Sequence, residues 1–160
     1  MGKPRLENAT IEHAEIIGSI GLRTADMQEL YRSTGNPSAK ENLLNSLRAS
    51  YTAKTAFVDN EPVAMFGVAL TDVFTLEGCI WLLATEKAAD YWLSFGKISR
   101  EFIDKAKDSH SRLFNYVDAE NTISINWLKW LGFNIHEPQP YGFSRTPFHY
   151  FEWRSDICVQ

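Results

Sequence analysis

The six residues Cys79-Ile80-Trp81-Leu82-Leu83-Ala84 form an unbroken apolar run. A run this short, without the alternation of a half-exposed strand, reads as a central strand covered on both faces. Downstream, Ile98, Phe102 and Ala106 recur at four-residue steps, the spacing of one helix face, ahead of a second β-rich run, Leu113-Phe114-Asn115-Tyr116-Val117. Strand, helix and strand in that order make a crossover unit, so the two strands are predicted to lie parallel in one sheet with a right-handed connection. The fold class that follows is α/β (α+β), a mixed twisted sheet with helices on both faces.

The rest of the chain supplies the other elements. Arg5 to Ala9 alternates like a short strand, and Thr10 is placed to cap a helix carrying Ala14, Ile16 and Ile17, which Gly18 and Gly21 weaken. A second helix is predicted over about Thr24 to Ser33, ended by Gly35-Asn36-Pro37, and Ser38 caps a third through Leu43, Leu44 and Leu47. Thr55 to Val58, the turn Asp59-Asn60 and the run Pro62 to Leu70 form an antiparallel hairpin. Asn121 caps a helix carrying Ile125, Leu128 and Leu131, which stops at Gly132 with Phe133 folding back on the last turn. Pro138, Pro140 and Gly142 are read as a loop, and Phe148 to Trp153 as a late edge strand. The element order predicted is β-α-α-α-β-β-β-α-β-α-β-β, about six to seven strands in one domain spanning 1–160.

Composition narrows the function classes. At about 100 to 200 residues per domain, 160 residues make one domain with one core. The formal net charge is −4, and no run of Lys or Arg exceeds two, so nucleic acid is not expected as the primary partner. Cys79 and Cys158 are the only cysteines, with no Cys-x-x-Cys or His-x-x-x-His pair, which indicates neither a disulfide framework nor a metal site. The longest apolar run, Val63 to Leu70, is far short of the roughly 20 residues that span a bilayer. A cytoplasmic protein without a membrane role is the expectation.

The segment from Asn115 to Phe133 is the most specific in the chain. Asn121, Ser124, Gly132 and Phe133 match in register the pattern Asn-x-x-Ala/Ser, hydrophobic stretch, Gly-Phe, and so the segment resembles the strand and helix near the C-terminus of Gcn5-related N-acetyltransferases. A helix cap at Asn121 and a helix stop at Gly132 would account for the same residues. Leu22 to Leu30, Leu47 to Ser50 and Glu61 to Val68 resemble the front half of a phage-encoded branch of that fold, which includes the internal virion protein A family of short-tailed bacteriophages. In that stretch the spacing Arg23, Asp26, Glu29 is by itself that of a solvated surface ion pair.

The family resemblance implies acetyl-CoA as cofactor and a turn of the form Gln/Arg-x-x-Gly-x-Gly/Ala after the central strand, whose backbone N–H groups face the pyrophosphate. Here Thr85 to Trp92 contains no glycine and two acids, Glu86 and Asp90, and Gly96-Lys97 with Arg100 is the local substitute. If the cofactor is bound, the resemblance places Ala84, Thr85, Gly96, Lys97, Asn121 and Ser124 against it. The family's tyrosine acid, seven residues after the motif asparagine, is Leu128 here, with Tyr116 and Tyr91 as nearby substitutes, and the base candidates are Glu120, Asp118, His136 and His149. Glu120 and Tyr116 are the catalytic candidates, although an aromatic on a central strand serves a core equally well and His149 on an alternating strand faces outward. Trp81, Trp92, Trp127, Trp130 and Trp153 could form an acyl pocket or an interface; Trp81 lies in the buried strand and Trp127 and Trp130 share one side of a helix that also carries Lys129, so a partner-binding face is favoured over a cofactor box.

With the loop and the acid both altered, the expected function is a phage protein on an acetyltransferase-type fold that binds no cofactor and acts in assembly of the virion's internal core through contacts with virion or host proteins, in the host cytoplasm and associated with the virion. The alternative is an active acyl-CoA-dependent N-acetyltransferase acting on an amine or a protein lysine.

Overall fold

The computed structural model describes residues 3–156, so Cys158 lies outside the described residues. Seven strands form one sheet in the order β1-β2-β3-β4-β5-β7-β6. They are β1 (Arg5–Asn8), β2 (Ser50–Val58), β3 (Glu61–Asp72), β4 (Glu77–Ala84), β5 (Arg112–Asp118), β6 (Asn134–Tyr141) and β7 (Thr146–Arg154). The helices are α1 (Ile11–Ile20), α2 (Thr24–Thr34), α3 (Ala39–Ala49), α4 (Trp92–Lys107) and α5 (Thr122–Trp130), with a 3-10 turn at Glu86–Tyr91. Thr10, Ser38 and Asn121 each accept a backbone N–H into the first turn of α1, α3 and α5, worth about 1 kcal/mol apiece. Among the described residues no helix is long and apolar enough to cross a membrane.

The β2–β3 connection is a two-residue turn in which Asp59 and Asn60 take φ +50° and +64°, the left-handed pair a tight hairpin needs. Among the described residues only β4 and β5 pair in parallel. The sheet separates two apolar layers. Ile80, Leu82 and Ala84 pack toward Ile98, Phe102 and Ile103 of α4, while Trp81 and Leu83 pack toward Ala14, Ile17, Met27, Leu30 and Leu43 of the first three helices. Each such apolar side chain removed from water contributes roughly 1.5–3 kcal/mol, and the strict alternation along β4 explains why its sequence is apolar throughout.

Two strand assignments differ from the sequence reading. Pro138 and Pro140 lie within β6, paired with His149 and Pro147, and only Gly142 occupies the turn. Proline lacks an N–H to donate and is tolerated on an outer strand, which is where β6 sits. Consequently β7 is not an edge strand. It lies between β5 and β6, burying Phe148 and Phe151.

Candidate functional site

The parallel pairing of β4 with β5 is short. Glu77, Gly78 and Cys79 match Arg112, Leu113 and Phe114, and beyond them the strands diverge. Asn115 bridges the fork by donating its side-chain amide to the Ile80 carbonyl at 2.6 Å. Past that bridge a cleft of about 300 Å³ passes between the strands, lined from one sheet face by Glu29, Leu30 and Tyr116 and from the other by Phe102, Ile103 and Leu128.

Helix α2 lies across the open end of the fork. Asp26 is 2% exposed and accepts from the Ala84 amide at 3.0 Å and from both Nε and Nη2 of Arg23 at 3.0 and 2.7 Å. The Arg23 amide in turn donates to the Ala84 carbonyl at 2.8 Å. One turn later, Glu29 accepts from the Asp118 amide at 2.8 Å and from the Asn121 side chain at 3.1 Å. Arg32 closes the row, 2.9 Å from Asp118 and 2.8 Å from Glu120. Asp26 and Glu29 thus tie α2 to the divergent ends of β4 and β5, and the reading of Arg23, Asp26 and Glu29 as a solvated surface group is corrected. The Arg23–Asp26 pair forms at its helical spacing, but the two carboxylates also accept from the backbone amides of Ala84 and Asp118, distant in sequence, which helical spacing alone cannot reveal.

Glu29 is the electrostatically distinctive group. Burial, reinforced by the nearby carboxylates of Asp26 and Asp118, pushes its pKa up to about 7, against the opposing hydrogen bonds from Asp118 and Asn121. A carboxyl poised near neutrality in a cleft can take or give a proton at physiological pH. Sequence reasoning missed this role.

Of the two catalytic candidates, Tyr116 lines the cleft, stacked on Tyr141 at a ring separation of 3.8 Å, whereas Glu120 is on the surface, committed to Arg32. Asp118 is buried and held by Arg32, with its second oxygen accepting the Glu120 amide. His136 and His149 meet each other across β6 and β7, away from the cleft lining, with His149 Nδ1 2.7 Å from the His136 carbonyl. Tyr91 ends the 3-10 turn. Leu128, at the position of the family's tyrosine, is buried in the cleft wall.

The cofactor candidates are dispersed. Asn121 accepts the Ser124 amide as the cap of α5, and Ser124 lines the cleft. The Ala84 amide is held by Asp26, and both the amide and hydroxyl of Thr85 donate to the Val63 carbonyl. Glu86 is turned away to accept the Thr24 amide at the start of α2. Gly96 is not at a helix start, being the fifth residue of α4, and Lys97 is exposed one residue on. Arg100 stacks on the Trp130 ring at 3.9 Å and donates to the Trp130 carbonyl. The slot between the strands could admit an extended chain, but at the end of β4 the Ala84 and Thr85 amides are not free to hold a pyrophosphate.

The arrangement of one mixed seven-stranded sheet, forked at its single parallel pair and flanked by helices, is the fold of the Gcn5-related N-acetyltransferases. An acetyltransferase of that family from Streptococcus pneumoniae is similar with a TM-score of 0.68 and 12% identity, over 95% of this chain and 99% of that one. Ribosomal-protein-alanine N-acetyltransferase from Brucella melitensis is similar with a TM-score of 0.71 and 16% identity, over 94% and 99%. Aminoglycoside acetyltransferase AAC(6')-Ib in complex with coenzyme A is similar with a TM-score of 0.65 and 13% identity, over 94% of each chain. No family model matches the chain, and no curated protein matches its sequence.

Proposed function

We propose that this chain keeps the acetyltransferase architecture without its anion cradle and works through protein contacts, as a component in assembly of a phage virion's internal core. The observation that carries the loss of cofactor binding is the commitment of the Ala84 and Thr85 amides to Asp26 and Val63. A pyrophosphate is bound by free backbone donors and a positive helix end, and here the two donors at the end of β4 are satisfied internally. Exposed Trp92 and Trp130, 69% and 53% accessible, are the residue type enriched at protein interfaces. The assignment to virion assembly rests on the resemblance of Leu22 to Leu30, Leu47 to Ser50 and Glu61 to Val68 to the internal virion protein A branch.

Calorimetric titration with acetyl-CoA tests the first half, with no saturable heat expected up to about millimolar ligand. A micromolar dissociation constant would overturn it. Pull-down from phage-infected cells tests the second, with recovery of virion core proteins expected and recovery of none of them counting against it.

A second reading, acyl-CoA-dependent transfer to an amine or a protein lysine, is favoured by Glu29, a proton acceptor poised near neutrality in the cleft. Acetyl-CoA turnover that Glu29→Gln abolishes would put this reading first.

A further inference from the structure

Away from the cleft, two exposed apolar patches stand at opposite ends of β4 and differ in charge. The first is the tip of the β3–β4 hairpin, where Val73 and Leu76 are exposed and Phe74 is 95% accessible. Hydrogen bonds hold this tip in one shape. Asp72 Oδ1 accepts the amides of Phe74 and Thr75 at 2.8 and 3.2 Å, and Ser111, in the turn between α4 and β5, donates to the carbonyls of Thr75 and Leu76. The Ser155 amide donates to the Ser111 carbonyl at 2.8 Å and brings Asp156 to the same end. The segments that meet here, 71–77, 108–111 and 155–156, contain Asp72, Glu77, Asp108 and Asp156 and no Lys or Arg. Glu77 pairs with Arg112, whereas the three aspartates form no ion pair among the described residues.

The second patch lies between α4 and α5. Gly96 and Arg100 of α4 meet the Trp130 ring. Trp92 and Leu93 sit one turn before Gly96, and Ile123 shares a face of α5 with Trp127 and Trp130, so these side chains border one furrow. Trp92, Leu93, Ile123 and Trp130 are each more than half exposed. The floor at Gly96 carries no side chain, and the atoms nearest to the place of a Cβ are Trp130 ring carbons 3.8 and 3.9 Å away. From Trp92 to Arg100 and throughout α5 there is no acid, and the charges are Lys97, Arg100 and Lys129. None of the three is in an ion pair among the described residues, Arg100 being held by the ring and carbonyl of Trp130.

We propose that the hairpin tip of one copy of this chain docks in the α4–α5 furrow of the next, Phe74 entering over Gly96 between Leu93 and Trp130 while the tip's aspartates face Lys97 and Arg100. A second copy is the occupant that the charges select. The chain is net −4, so copies repel one another except where an acidic patch meets a basic one, and each copy carries one of each. The two patches cannot meet within one molecule, because the eight residues of β4 hold them about 25 Å apart. A tip already held in one shape loses little freedom on docking. Each copy uses one patch on each neighbour, so the contact is head to tail and repeats until a ring closes or a filament grows. This goes beyond the assembly reading, which concerns contacts with other proteins.

The test is sedimentation of the purified full chain from about 10 µM to about 1 mM, the range of a contact smaller than a standard interface. The average mass is expected to rise with concentration past that of a dimer, and the association to weaken about threefold or more between roughly 50 and 500 mM salt. Phe74→Asp removes the tip and Leu93→Asp the furrow, both at exposed positions, and each variant alone is expected to sediment as a monomer. An equimolar mixture of the two retains one working tip and one working furrow, and is expected to form a dimer that grows no further. A wild-type chain that stays monomeric throughout, association that survives either substitution, a mixture that stays monomeric, or insensitivity to salt would each overturn the proposal. Neither acetyl-CoA nor any virion protein is present, so this result and those that test the assembly reading stand separately.

Discussion

Asp26 Oδ2 sits 3.0 Å from the amide nitrogen of Ala84, 58 residues away in sequence, and this bond fastens α2 to the last residue of β4. The carboxylate also holds Arg23 through two bonds, so a single buried side chain, 2% exposed, joins helix, strand and cation. Asp26→Ala removes all of these partners at once and strands a buried N–H beside a half-buried guanidinium. A loss of about 3 kcal/mol is expected in a urea melt, with Asp26→Asn losing less because its carbonyl oxygen still accepts the Ala84 amide.

Glu29 sets a pH dependence whose sign is opposite to that of an ordinary paired carboxylate. Its folded-state pKa of about 7 lies above the usual 4.5, so between those values the native chain holds a proton that the unfolded chain has released. Stability therefore falls as pH rises through that window, by about 3 kcal/mol from this group, and its contribution is flat above it. Melts at pH 5 and pH 8 are expected to show the folded chain weaker at pH 8, and Glu29→Gln to flatten the difference.

Asn121 has two duties, capping α5 through the Ser124 amide at 3.4 Å and donating to Glu29 at 3.1 Å. Asn121→Ala is expected to cost about 1–2 kcal/mol. Because the donated bond favours the ionised carboxylate, the same variant is expected to raise the titration midpoint of Glu29 further, as read by carboxyl NMR shifts.

Gly142 turns the β6–β7 hairpin onto the end of α2, where Phe143 and Ser144 donate their amides to the carbonyls of Ser33 and Arg32. Its φ is +72°, and a Cβ there would stand 2.6 Å from Ser33 Cα and 2.8 Å from Ser33 O. Gly142→Ala is expected to lower stability by about 2 kcal/mol or more and to speed hydrogen exchange at Phe143 and Ser144.

What was legible in the sequence is what local chemistry specifies. Thr10, Ser38 and Asn121 act as caps because their partners are three residues on, and the Asp59-Asn60 turn formed as read. The parallel pairing of β4 and β5 followed from the crossover unit, but not the brevity of that pairing, which ends where Asn115 reaches Ile80 across the fork. Glu29 was illegible as a site residue because its environment comes from Asp118, 89 residues away. Two closing strands were in the predicted order, but the extent of β6 through Pro138 and Pro140 was not legible, because their turn propensity is overridden where an outer strand requires no donor from them.

The two prolines of β6 also govern how this molecule can meet others. An outermost strand with free donors is a template on which a second chain can lay its own backbone, and that route leads as readily to fibres as to complexes. Along β6 neither Pro138 nor Pro140 has an N–H to donate, and at the far side of the sheet β1 offers only Arg5–Asn8 directly after Pro4. Both margins are thereby made poor templates for growth, so a partner has to read this protein by the shape and chemistry of its side chains, where substitution can tune the match one residue at a time.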